Sequence, residues 1–234
     1  MKIFLLMENY CIFACGGSGT RMGSDIPKQF LRIGGKTILQ LSMEKVASAV
    51  PGVRMVIALP AAWREWWLEE CRNMNIELRQ SLVEGGITRY HSVKNALEKV
   101  PESAIVAVHD AVRPFVSEAL VAEAFAHAAE YGSAVPVIPV TDTLKVLRKD
   151  ENGNLEEIPG ASADRSVMFG AQTPQVFSSD MLKEAYRQPF DTAFTDDASV
   201  VARTGVKIHY IPGEKYNIKL TTPEDMLLAD LLTI

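Results

Sequence analysis

The sequence predicts an α/β fold, a mostly parallel sheet covered by helices, with a β-hairpin arm. Three observations carry this. Apolar strand-like runs alternate with helical patterns along most of the chain, the order of strand–helix–strand units. The first apolar run ends in a glycine-rich turn, the usual opening of such a sheet. One polar stretch breaks the alternation and carries Asn152-Gly153 between two alternating segments, a hairpin signal.

The elements follow in order. Tyr10-Cys11-Ile12-Phe13 reads as the first strand. Val53–Leu59, Ile76–Val83, Ala104–His109 and Ala134–Val140 read as the second to fifth strands. Helical patterns lie near Thr37–Ala49, Ala61–Met74, Arg89–Val100 and Ser117–Tyr131. Trp63, Trp66 and Trp67 share one amphipathic helix and read as packing residues. In the last helix Thr222 suits the N-cap, Pro223 the first helical position, and Glu224 and Asp225 the positive dipole end. Residues 141–164 are polar and lack a helical period. Leu144–Arg148 and Leu155–Ile158 flank the Asn-Gly pair there. An isolated hairpin is marginal in water, so this arm needs a support: a partner subunit, or its own domain.

A chain of 234 residues with 47% hydrophobic content fits one large α/β domain, or one domain with an appendage, over 1–234. A net charge of −5 argues against a nucleic-acid binder, so an anionic ligand needs a local positive site. The three cysteines, Cys11, Cys15 and Cys71, fit no zinc spacing and imply a reduced, cytoplasmic setting. Met1–Met7 imitates the start of a signal peptide, but Glu8 and Asn9 end the apolar run early. Met7 is an alternative start. No stretch is long enough to span a membrane.

Residues 14–29 carry the chemistry. Glycines let backbone N–H groups approach an anion, and two cations, Arg21 and Lys28, follow. A purely structural turn needs no cations. The P-loop signature is absent, and Met22 stands where the dinucleotide fingerprint needs its third glycine.

Other constellations stand at strand ends. Asp110 suits a magnesium ligand, since Mg²⁺ takes carboxylate oxygen together with phosphates and waters. Alternatively it caps a turn and pairs with Arg113. His109 reads as a strand-end histidine with a satisfied hydrogen bond and no catalytic role. Gly85–Ser92 opens a helix and can present N–H groups and Ser92 to a base or ribose. An ordinary loop capped by Thr88 would use the same residues. Lys219, in a run that otherwise reads as core, needs an anionic partner if buried.

Seven motifs stand in one order: Gly16-Gly17-Ser18-Gly19-Thr20-Arg21-Met22 with Pro27-Lys28-Gln29, His109 to Pro114, Val140 to Lys145, Asp164-Arg165, Ala171 to Gln175, Thr195 to Ser199, and Asn217 to Asp225. Together they resemble the 2-C-methyl-D-erythritol 4-phosphate cytidylyltransferase family, over nearly the whole chain. The resemblance implies a Rossmann-like, three-layer α/β/α nucleotidyltransferase domain. It implies CMP transfer from CTP to methylerythritol phosphate, with pyrophosphate released and no covalent enzyme intermediate. It further implies roles. Arg21 and Lys28 are transition-state stabilisers, and Lys219 reaches the phosphates near the reacting centre. Gly16, Gly17, Gly19, Lys28, Gly86, Ser92 and Ala111 bind the nucleotide, and Asp110 binds Mg²⁺. Thr143 and Arg165, at the two ends of the arm, join Lys219 in holding methylerythritol phosphate, and the 141–164 arm reaches into the partner of a homodimer. Cys15-Gly16, Ile87-Thr88 and Tyr216 depart from the family's usual residues. A ribitol 5-phosphate cytidylyltransferase shares the fold and glycine loop, but Asp142–Lys145 and Ala171–Gln175 look more like the methylerythritol enzyme. A non-catalytic nucleotide-binding module would have lost the cation set.

Overall fold

The computed structural model describes residues 7–16 and 26–232. In chain order, β1 (Asn9–Ala14) leads to two short strands, β2 (Arg32–Ile33) and β3 (Lys36–Thr37), and then α1 (Ile38–Ala49). Next come β4 (Arg54–Leu59), α2 (Arg64–Asn73), β5 (Gln80–Glu84), α3 (Arg89–Leu97), β6 (Ile105–Asp110), α4 (Glu118–Tyr131) and β7 (Ser133–Pro139). The arm holds β8 (Leu147–Lys149) and β9 (Leu155–Glu157). Then follow β10 (Phe169–Ala171), β11 (Gln175–Ser178), α5 (Ser179–Ala185), α6 (Asp197–Ala202), β12 (Tyr210–Pro212) and α7 (Pro223–Leu232).

The main sheet runs β10-β7-β11-β6-β1-β4-β5, with β12 added along β7. The β1–β4, β1–β6, β4–β5 and β7–β12 pairs are parallel. Strand β11 lies antiparallel between β6 and β7. Both faces are covered, so β1 is apolar at successive positions rather than alternating. Cys11 and Phe13 join a core with residues of α1, α2 and α4. Tyr10 and Ile12 face the opposite core, built with α3, α5 and α6. The three-layer arrangement implied by the resemblance is present.

The five predicted strands and five predicted helices all appear, with shifted ends. The third strand starts at Gln80 rather than Ile76, because the edge strand first meets β4 where Met55 N–H bonds Arg79 C=O at 2.9 Å. The second helix begins as a short 3₁₀ turn, Ala61–Trp63. Thr37 and Ser117 are N-caps whose side chains accept from Gln40 N–H and Leu120 N–H. Thr222 caps α7 as expected: its hydroxyl accepts from Asp225 N–H, and the Asp225 carboxylate accepts from Thr221 and Thr222 N–H, a reciprocal cap.

The arm forms a hairpin, but its turn is not the two-residue Asn-Gly type. Lys149 pairs with Leu155, which leaves a five-residue connection. The Asp150 carboxylate organises it by accepting from Asn152 and Asn154 N–H, with Gly153 at φ +84°. Every residue of both arm strands is exposed. The elements that sequence patterning left unassigned are short: β2, β3, β10, β11, β12, α5 and α6.

Candidate functional site

The site lies at the carboxyl ends of the parallel strands, where the chain leaves β1 with β4 on one side and β6 on the other. Ligands of open α/β sheets bind at such a switch point. Register sets its centre: Ala14, the last residue of β1, pairs with Asp110, the last residue of β6. The chain entering the glycine loop is therefore placed beside the Asp110 carboxylate. Gly17, Gly19 and Arg21 lie outside the described residues.

A cleft of about 220 Å³ opens there, lined in part by Gly16, Lys28, Arg89, Asp110, Ala111 and Lys219. A second hollow of about 250 Å³ shares Arg89, Asp110 and Lys219 and adds Arg113, Thr173 and Asp196 among its walls. The two are halves of one groove, divided by the Asp110 cluster.

Lys28 opens a 3₁₀ turn, Lys28–Phe30, held from two directions. The buried Gln29 side chain donates to Cys15 C=O at 2.7 Å, tying the turn to the end of β1. Phe30 packs against Trp63, Trp66 and Trp67 with centroid separations of 5.4, 4.7 and 6.0 Å. The tryptophans are packing residues, as expected, and they anchor this turn.

Among the described residues, three cations surround Asp110. Lys219 Nζ lies 2.9 Å and Arg113 Nε 3.6 Å from Oδ2, and Arg89 Nε lies 3.4 Å from Oδ1. Burial works to raise the Asp110 pKa. Arg89, Lys219 and Arg113 outweigh it and hold the carboxyl well below the usual carboxylate range. Arg113 is thus a partner of Asp110, as one reading of the sequence had it, but beside it stand Arg89 and Lys219.

Lys219 arrives by a clamp. Gln172 donates to Glu214 C=O at 2.7 Å and accepts from Glu214 N–H at 3.0 Å. The buried Asn217 side chain donates to Thr173 C=O at 2.9 Å, and Arg113 donates to Asn217 C=O at 2.6 Å. Leu220 N–H bonds Val112 C=O at 2.9 Å. The segment before α7 is thereby pinned across the end of β6.

His109 is fully buried, and burial lowers its pKa to about 4. Its Nε2 faces Arg113 C=O at 3.2 Å, so this nitrogen carries the proton and donates. Its Nδ1 accepts from the Thr173 hydroxyl at 3.0 Å, and that oxygen accepts from Asp110 N–H. All its hydrogen-bonding capacity is used within the fold, as a strand-end histidine requires.

The Gly85–Ser92 turn opens α3, with the Thr88 side chain accepting from His91 N–H. Ser92 is fully buried. Its hydroxyl accepts from Gly86 N–H at 3.0 Å and donates to Thr88 C=O at 3.1 Å. It lies behind the cleft, and a Cβ on Gly16 would stand 3.3 Å from its oxygen. Ser92 shapes the turn from inside, while Ile87, 97% exposed, is displayed at the cleft.

Of the predicted site residues, Gly16, Lys28, Asp110, Ala111 and Lys219 converge on one cleft. Gly86 and Ser92 do not line it; Ser92 sits behind Gly16 and bonds Gly86 N–H. Thr143 and Arg165 do not line it: Thr143 is exposed on the arm, and Arg165 donates to Thr141 C=O at 2.7 Å across the arm's base. Sequence reasoning assigned no site role to Arg89, Gln29, Thr173 or Asp197. Ala171–Gln175 and Thr195–Ser199 were legible as motifs, but which of their side chains reach Asp110 depends on the antiparallel β11.

A doubly covered sheet with a cationic groove around one carboxylate at its switch point defines a Rossmann-like nucleotidyltransferase. Residues 10–233 match the model of the 2-C-methyl-D-erythritol 4-phosphate cytidylyltransferase (IspD) family, and the chain belongs to that family. The enzyme of that name from Phocaeicola vulgatus is 41% identical over 97% of this chain and 100% of its own length. The Porphyromonas gingivalis enzyme of that name is 40% identical over 96% of this chain and 97% of its own length. The crystal structure of the enzyme of that name from Thermus thermophilus superposes with a TM-score of 0.75 at 31% identity, covering 97% of this chain and 98% of that one.

Proposed function

We propose that this chain transfers CMP from CTP to 2-C-methyl-D-erythritol 4-phosphate, giving 4-diphosphocytidyl-2-C-methyl-D-erythritol and pyrophosphate. The observation that carries this reading is the groove divided by Asp110, with Lys28, Arg89, Arg113 and Lys219 along its walls. Two anions must meet in this reaction, and clustered cations cancel their repulsion.

A phosphate oxygen of methylerythritol phosphate attacks the α-phosphorus of CTP in line. One P–O bond forms as the bond to the bridging oxygen of pyrophosphate breaks. No side chain bonds to phosphorus, so catalysis is positioning and electrostatic stabilisation. Lys28 and Gly16 hold the triphosphate in the first half of the groove. Lys219, on the dividing wall, faces both substrates. Arg113 and Thr173 line the second half, where the acceptor phosphate enters. Arg21, of the same loop, is assigned with Lys28 to the developing charge.

Among the described residues no three His, Cys, Asp or Glu side chains converge to hold a metal. Asp110 offers a single carboxylate, which fits a Mg²⁺ ion that takes its remaining ligands from phosphates and water. When bound, Mg²⁺ supplies positive charge to the triphosphate. The Asp110 carboxylate, kept ionised by Arg89, Lys219 and Arg113, would hold the ion.

We assign the 141–164 arm to a homodimer contact. Its strands are exposed on every residue, Leu155 is 66% exposed, and Thr143 within it and Arg165 just after it do not line the Asp110 groove. A partner's arm would bring both residues to the acceptor half. No helix among the described residues is long and apolar enough to cross a membrane, and three free cysteines suit a reducing cytoplasm.

The deciding experiment measures pyrophosphate release with CTP and Mg²⁺, comparing methylerythritol phosphate with ribitol 5-phosphate, and wild type with Lys28→Ala. Release that favours methylerythritol phosphate and is lost in the variant supports substrate and site together. Release that favours ribitol phosphate overturns the substrate. CTP binding without release overturns the reaction.

A further inference from the structure

Behind Asp110 lies a second carboxylate, Asp197, that the reaction above does not use. Asp197 is fully buried at the start of α6. Each of its oxygens has a close partner: Arg89 Nη2 stands 2.6 Å from Oδ2, and the Tyr186 hydroxyl donates to Oδ1 at 2.6 Å. Tyr186 is itself fixed. Its ring stacks on Tyr90 at 4.7 Å, and its carbonyl accepts from the Tyr90 hydroxyl at 3.0 Å.

We propose that Arg89 and Asp197 are positioning residues for the Asp110 carboxylate, with Tyr186 holding Asp197. Three geometric facts support this. Lys219 and Arg113 approach Oδ2 of Asp110, whereas Arg89 is the cation set against Oδ1. The guanidinium is planar, so fixing its Nη2 on Asp197 fixes the direction of its Nε. Arg89 also lines both halves of the groove, so its placement bears on the wall between the two substrates.

Stability does not explain the pair. A buried ion pair contributes little relative to apolar residues of similar size, because desolvation offsets the attraction. What the pair supplies is orientation: a rigid link from α5 and α6 to the end of β6. With Asp197 neutralised, the Arg89 fork loses its anchor and the Asp110 carboxylate is free to turn towards Lys219.

This inference rests on Asp110 as the metal ligand proposed above, and the test separates the two. CTP affinity is measured by calorimetry with Mg²⁺ and with EDTA, in wild type, Asp110→Asn, Asp197→Asn and Tyr186→Phe. Asp110→Asn is expected to abolish the gain in affinity that Mg²⁺ confers. Asp197→Asn is expected to cut that gain roughly tenfold, the low end for losing an outer partner of a metal ligand. Tyr186→Phe cuts it about threefold, and both leave the affinity in EDTA within about twofold of wild type. The half-saturating Mg²⁺ concentration for turnover rises in the same order. If Asp110→Asn keeps the gain, the metal reading fails. If Asp110→Asn loses the gain while Asp197→Asn and Tyr186→Phe keep it, the positioning inference alone fails. An equal loss with Mg²⁺ and with EDTA also overturns it, because a purely structural defect weakens both. Should Asp197→Asn fail to fold, Tyr186→Phe, which removes one hydroxyl, decides the question.

Discussion

The ammonium of Lys219 lies 2.9 Å from Oδ2 of Asp110, although one residue ends the central strand β6 and the other precedes the last helix. The contact joins a carboxylate suited to a metal to a cation suited to a phosphate. Under the reaction proposed above, each partner has its own target, a cation for Asp110 and a phosphate for Lys219.

Lys219→Ala should therefore cost activity more than stability. Turnover is expected to fall on the order of a hundredfold or more, as for other preorganised donors. The Lys219 side chain is 42% exposed, and the buried Asp110 carboxylate keeps Arg89 and Arg113 when Lys219 is removed, so no unpaired buried charge is left. Steady-state kinetics beside a thermal melt checks both. A melt lowered in proportion to the activity would contradict the assignment.

Gln29→Ala should do the reverse in part. The side chain is buried and donates to Cys15 C=O at 2.7 Å. Its removal takes away the partner that this buried carbonyl has among the described residues, at about 1–3 kcal/mol. Because the same bond ties the Lys28 turn to β1, CTP affinity falls as well. Urea unfolding and CTP titration of the variant read the two effects separately.

Gly86→Ala should damage the nucleotide side of the groove. A Cβ at Gly86 would overlap the Cβ of His91 and stand 2.9 Å from the His91 carbonyl carbon. The start of α3 must shift, at about 1–3 kcal/mol, and Ser92 and Arg89 move with it. CTP binding by calorimetry should weaken at least tenfold, in keeping with two displaced contacts of about 1 kcal/mol each. Unchanged binding would show that the turn lies outside the nucleotide site.

The thiols should differ sharply in reactivity. Cys11 and Cys15 are buried, and burial pushes both thiols far up. Cys71 is only partly buried, its pKa raised less by the same cause and eased by a hydrogen bond from Gln80. Alkylation of the native protein followed by peptide mass spectrometry should label Cys71 first, and Cys11 and Cys15 only on unfolding. Early labelling of Cys15 would mean that the end of β1 opens in solution.

Leu155→Asp should weaken self-association with little effect on the fold of one chain. Leu155 is 66% exposed, on an arm whose strands are exposed at every residue. Light scattering across a concentration series should show dimer for wild type and a shift towards monomer for the variant. An equal mass for both at every concentration would remove the arm from the interface.

Much of the fold was legible because long apolar runs and well-capped helices carry their own signal. β1, β4, β6 and β7 are buried on both faces and read as continuous apolar stretches. α1, α3 and α4 begin at Thr37, Thr88 and Ser117, whose side chains cap them. The short elements were not legible. β11 has four residues and α6 six, too few for periodicity to separate strand from helix. Their form depends on the slot between β6 and β7 and on Gln175, which bonds both Asp196 and Ala198.

By itself the sequence determined the order of strands and helices, the glycine turn, the hairpin and the residue types of a phosphate-handling site, because these rest on local periodicity, caps and turn chemistry. Only the tertiary structure decided that Lys219, Arg113 and Arg89 share one carboxylate, and that Asp197 and Tyr186 stand behind them. It also decided that Thr143 and Arg165 lie apart from that carboxylate within the chain. Such pairings are made across the sheet by strand register and by an inserted antiparallel strand. No local pattern encodes which distant side chains will meet at the end of β6.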